Sequence, residues 1–212
     1  MRKRFLVAMC SVAMALLTVG ALSSPVGAAG VSFGAALDNM SQPNGPEKCD
    51  QDAGIPHNAT CTWVIGSAFQ AGVGNHWAAP KNGTIGKVRI VSCVAGSFIL
   101  QLARAKPSTH QARIVRSGPT VSYPADPRQV DGDPNTDCGG PNGDDYIVTT
   151  KKVTLKVDKG EWIAIKTSKL GAVHCSGGGN VMLFAPPLVA GGSYKHQKGG
   201  DSCDPLIALV YK

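Results

Sequence analysis

Beyond residue 28, no segment of this 212-residue chain holds apolar side chains at the three-and-four spacing of a helix. They recur by two, in short runs cut by turn-forming residues. The clearest run is 152–158, where Val153, Leu155 and Val157 alternate with Lys152, Thr154, Lys156 and Asp158. Side chains on a strand point to opposite faces in turn, so this pattern gives a strand one wet and one dry face. Lys159 and Gly160 then turn the chain, and residues 162–166 (WIAIK) return, which predicts a hairpin or a tight corner. Twenty-six glycines and fourteen prolines supply many such breaks. A chain of this kind buries its dry faces by pairing strands into sheets and stacking the sheets.

Further strands are predicted at 61–65 (CTWVI), 84–92 (TIGKVRIVS) and 97–104 (SFILQLAR), the second entered through an Asn82-Gly83 turn. Segments 111–116 and 120–123 read as two strands divided by Ser117, Gly118 and Pro119. Segments 181–184 and 206–211 close the chain as late strands. Residues 60–212 are thus expected to form one all-β domain, an antiparallel β-sandwich of jelly-roll-like type braced by disulfides. Residues 29–59 hold no sustained period and several turn signals, and are expected as an irregular N-terminal arm.

The first 28 residues have the make-up of a secretion signal peptide. Arg2, Lys3 and Arg4 precede an apolar run from Phe5 to Leu22, and Val26-Gly27-Ala28 fits a small-residue cleavage site. A retained membrane anchor is the alternative, but the run is short for a span and its flank suits processing. The expected protein is secreted, with no stable membrane insertion once the signal is cleaved. Its formal net charge of +7 loses three units with the leader, too sparse a charge to imply a nucleic-acid partner. Cys10 lies in the leader; Cys49, Cys61, Cys93, Cys138, Cys175 and Cys203 remain. An exported chain with an even cysteine count is expected to form disulfides. Sequential pairing is expected: Cys49 with Cys61, Cys93 with Cys138, Cys175 with Cys203. Zinc is the rival reading, but no CxxC or HxxxH pair is present.

Three stretches, 79–90 (APKNGTIGKVRI), 97–104 (SFILQLAR) and 153–165 (VTLKVDKGEWIAI), resemble secreted bacterial jelly-roll sandwich modules. In those modules an AP-x-x-G entry precedes a strand and a V-x-x-G-(D/E)-x-I corner joins two more. The resemblance spans about residues 60–211 and implies architecture. Some such modules bind carbohydrate, and no residue's role carries over.

Several constellations bear on chemistry. Asp131, Asp133, Asn135 and Asp137 place oxygen-bearing side chains at every second position, as a calcium-wrapping loop requires. Thr136 stands where an EF-hand has its turn glycine, and a solvated loop held by Asx turns is the other reading. Trp77, beside His76 in a loop-like stretch, is the best candidate for an exposed ring on which a sugar stacks. Trp63 and Trp162 lie in strands and read as core. His174 and Ser202 sit beside Cys175 and Cys203 in a way that echoes protease signatures. Their spacing and the cysteine after Ser202 do not suit a nucleophile site. Lys151, Lys152, Lys156, Lys159 and Lys166 gather around one hairpin, as a basic strip facing anionic wall polymers or phospholipid heads, or as a solvated face that discourages edge pairing. The leading function is a non-enzymatic extracellular binding or structural module, with cell-wall or extracellular polysaccharide as a candidate partner. The alternatives are a carbohydrate-binding module with a Ca2+-stabilised loop and, last, a secreted hydrolase.

Overall fold

The computed structural model describes residues 31–35, 37, 47–49, 55–65, 77–126, 147–175, 181–201 and 203–212. The described residues are almost entirely β. In chain order the strands are β1 (Ser32–Gly34), β2 (Glu47–Lys48), β3 (Cys61–Ile65), β4 (Gly83–Val91), β5 (Gly96–Lys106), β6 (Gln111–Tyr123), β7 (Val148–Val157), β8 (Trp162–Thr167), β9 (Lys169–Leu170), β10 (Val173–Cys175), β11 (Val181–Phe184), β12 (Lys195–His196), β13 (Gly199–Asp201), β14 (Cys203–Pro205) and β15 (Ile207–Tyr211). A short 3-10 turn, Pro107–Thr109, links β5 to β6.

Two sheets dominate. One runs β1-β15-β4-β7, the other β12-β6-β5-β8-β3-β11-β13. Every ladder within them is antiparallel. Take β1, β3, β4, β5, β6, β7, β8 and β15 as first to eighth. One sheet then reads first, eighth, third, sixth and the other fifth, fourth, seventh, second, which is the strand order of a jelly roll. Alternate residues of both sheets enter one core. Phe33, Ile85, Val88, Leu155 and Leu209 come from the smaller sheet, and Trp63, Phe98, Leu100, Ile163 and Leu183 from the larger.

Local chemistry explains where the strands depart from expectation. The 152–167 segment forms a corner between sheets, because β7 and β8 belong to different ones. Gly160 takes the turn at φ +79°, a region disfavoured for residues with a Cβ. Below it, Glu161 is buried and accepts from Arg116 Nη2 at 3.1 Å and from the Asp158 N–H at 2.8 Å. Arg116 also pairs with Asp158, and its pKa is raised, first by the Glu161 hydrogen bond.

Residues 111–123 form one strand, not two. The β5–β6 register shifts twice, and each shift adds a residue to β6, the first spanning Gly118 and Pro119. Bulges of this kind let a proline sit inside a strand without orphaning its neighbours. Residues 29–59 contribute β1, which pairs with β15, and β2, which pairs with β9. Strands of three and two residues are too short to print a period in the sequence.

Cys49 and Cys61 form a disulfide, fastening the N-terminal segment to β3 as expected. Cys93 and Cys203 are also disulfide-bonded. Cys138 lies outside the described residues. The backbone of Cys175 stands directly opposite Cys203 in the β10–β14 ladder, and its side chain is outside the described set.

Candidate functional site

The larger sheet is apolar on both faces. Trp63, Leu102 and Ile165 point to the shared core, while Val64, Ala103, Ala112, Ile114, Ala164, Met182 and Phe184 form a second buried cluster behind it. Something must cover that second face, and the chain after β11 does so. Pro186 and Pro187 offer no N–H, so the ladder cannot continue and the chain leaves the sheet there. Leu188 turns back into the second cluster, its N–H donating to the buried Thr62 Oγ1 at 3.0 Å. Thr62 passes this on to Gln101, which in turn donates to Ser117.

The strap crosses the sheet. Ala190 bridges Ile114, and the Gly191 N–H donates to the Ile114 carbonyl at 3.0 Å. β12 then pairs with the start of β6, and the Tyr194 ring lies 4.2 Å from Lys106 Nζ and 5.1 Å from the Arg113 guanidinium. Next the Gln197 N–H donates to His110 and the Lys198 N–H to Leu183. These neighbouring residues, with Cα atoms about 3.8 Å apart, thus tie β6 to β11. A flat sheet would hold those strands about 19 Å apart, so the sheet curls until one segment bridges its ends.

A cleft of about 530 Å³ opens within this strap, a size suited to a small ligand. Phe184, Pro186, Pro187 and Val189 give it apolar surface, and Val189 is 74% exposed. Lys195, His196, Gln197 and Lys198 supply the polar groups, and among the described residues no acid lines it. Gln111 Nε2 lies 2.7 Å from His196 Nε2, so with the amide donating the ring carries its proton on Nδ1. Gln197 lines the cleft, while its Oε1 is itself buried and has no hydrogen-bond partner among the described residues.

Trp77 is 37% exposed, its ring 6.0 Å from Trp162 at a 62° tilt, and it lines neither this cleft nor the second groove described below. His76, the acidic positions Asp131, Asp133, Asn135 and Asp137, and Ser202 lie outside the described residues. Among the described residues, no group of three or more His, Cys, Asp or Glu could hold a metal ion. His174 stands opposite Asp204 in the β10–β14 ladder. Burial pushes Asp204 up to about 6, and the charge of His174 pulls it partly back.

Sequence reasoning missed the strap. Its visible signals were Ala185-Pro186-Pro187 directly after an apolar run and the polar cluster Lys195 to Lys198. No known protein-family model matches the chain, and no match is found among curated proteins or solved structures.

Proposed function

We propose that this chain is a secreted, non-enzymatic binding module that holds its ligand in the strap cleft. The carrying observation is an apolar cleft rimmed by Lys195, His196, Gln197 and Lys198 and held open by anchors on both sheet edges. Anchoring of this kind lowers the ordering cost of binding. The fitting ligand has an apolar face and hydroxyl or anionic substituents, as a short saccharide does. Its C–H face would lie on Pro186, Pro187 and Val189, and its polar groups would meet Gln197, His196 and the two lysines. Export is supported by the leader-like first 28 residues and by disulfide-bonded Cys49, Cys61, Cys93 and Cys203. No helix among the described residues is long and apolar enough to cross a membrane.

Calorimetric titration with a panel of neutral and acidic oligosaccharides tests the reading. Binding is expected, and both Val189→Asp and Gln197→Leu, which change residues lining the cleft, should weaken it about tenfold, the cost of one lost contact. Binding that both variants leave unchanged would place the ligand elsewhere. A second reading rests on the exposed Trp77 ring: if Trp77→Ala alone abolishes saccharide binding, the stacking platform is the site.

A further inference from the structure

We infer that the outer face of the four-stranded sheet is a second, separate site, which takes a linear anionic polysaccharide. It lies on the opposite side of the sandwich from the strap cleft, so its occupancy and that of the cleft are independent.

None of the four strands of this sheet contains an Asp or Glu. Lys152, Thr154 and Lys156 occupy exposed alternate positions on β7, opposite the buried Val153, Leu155 and Val157. Lys87 on β4 is the direct cross-strand partner of Lys152. Like charges directly opposed across a ladder repel, so the fold tolerates this pair against its own stability. Edge protection does not require them. β7 is an edge strand, and Lys151, paired with the buried Val88, is the inward-registered charge that guards such an edge.

The face also has shape. The β4–β7 register shifts beside Gly86, and a groove of about 310 Å³ opens there between Lys87, Lys152, Thr154, Tyr211 and Lys212. Gly86 keeps the groove open, because a Cβ there would stand 2.6 Å from the Lys212 side chain. Lys212 Nζ donates to Thr154 Oγ1 at 3.2 Å, and Lys81 Nζ lies 5.2 Å from the centre of the Tyr211 ring. Lys87, Lys152, Lys156 and Lys212 make no ion pair with any described acid.

Charge complementarity names the occupant. Ammonium groups interleaved with the hydroxyls of Thr84, Thr150 and Thr154 match a polymer that offers carboxylates and hydroxyls in turn. Lys152 and Lys156 stand about 13 Å apart along the strand, which favours a chain over a compact anion. A lipid surface would call for exposed apolar side chains to insert, and the apolar side chains of this groove, Val153 and Tyr211, are buried.

Alginate, a linear polyuronate, immobilised on a matrix is the probe, with neutral dextran, duplex DNA and anionic phospholipid vesicles as comparisons. The purified chain should be retained on alginate at low salt, not on dextran, and should elute as salt screens the contacts. Lys87→Gln/Lys152→Gln/Lys156→Gln should bind alginate about tenfold more weakly while melting no lower than the parent. The matched variant Lys48→Gln/Lys166→Gln/Lys169→Gln removes equal charge elsewhere and should bind as the parent does. Equal weakening by the two variants would reduce the effect to net charge and overturn the site. Absence of alginate retention, or equal binding to DNA or vesicles, would overturn the assigned polymer. Val189→Asp should leave alginate retention intact, which separates failure of this site from failure of the cleft.

Discussion

Trp63→Ala is expected to lower the free energy of unfolding by about 4 kcal/mol, in the range for truncating a buried aromatic. Trp63 is fully buried, the largest of the described core side chains, and sits on β3 between Leu183 of β11 and Ile165 of β8. It therefore fills the middle of the sheet that the strap closes over. The loss has two parts, the apolar surface no longer buried and the cavity that rigid neighbours fail to fill. Trp63→Phe separates packing from polarity. The indole Nε1 is buried without an acceptor among the described residues, so replacing the ring by phenyl removes an unsatisfied donor while keeping most of the contact. That variant should lie within about 1 kcal/mol of the parent. Urea unfolding followed by circular dichroism reads both. An alanine variant as stable as the parent, or a phenylalanine variant as damaged as alanine, would contradict the packing described above.

The sheet-forming character of the chain was legible because it depends on local alternation. Val153, Leu155 and Val157 are inward-facing and Lys152, Thr154 and Lys156 outward-facing, as the spacing of two required. Trp63 and the strand at 61–65 were likewise readable as core. What failed to show was anything fixed by partners far along the chain. Ser117, Gly118 and Pro119 carry the residues of a turn, yet pairing with β5 absorbs them as a bulge. β1 is recognisable as a strand only beside β15, for Ser32, Phe33 and Gly34 contain no pattern of their own.

The candidate sites divide the same way. The lysines of β7 were visible as a group, but the opposition of Lys87 to Lys152 exists only through the β4–β7 register. Their meaning changes with that fact, from a solvated strip to a face holding unrelieved repulsion. The strap cleft depends on β12 and β13 reaching opposite ends of one sheet within a few residues, which no local pattern announces. The loop-like setting of Trp77 predicts an exposed ring and the ring is exposed, yet the strap cleft lies elsewhere.

Asp204→Asn is expected to raise stability near pH 7.5 by about 2–3 kcal/mol and to flatten the dependence of stability on pH between about 4 and 6. Asp204 lies on β14, only 2% exposed, and neither carboxylate oxygen has a hydrogen-bond partner among the described residues. Desolvation raises its pKa from 3.8 to about 6, against the opposing charge of His174 across the ladder. Between those two values the folded chain holds a proton that the unfolded chain has released. Stability from this group is therefore full below pH 4, falls as pH rises towards 6, and stays low above it. A rise from 3.8 to about 6 corresponds to about 3 kcal/mol, and the amide side chain, still polar and buried, recovers somewhat less. Melting both proteins at pH 4 and pH 7.5 isolates the effect, since every other titrating group is common to the pair. The two should agree closely at pH 4 and separate at pH 7.5, with the asparagine variant the more stable. A variant less stable than the parent at pH 7.5 would mean that the Asp204 carboxylate is held by a partner, and that the β10–β14 ladder gains from its charge.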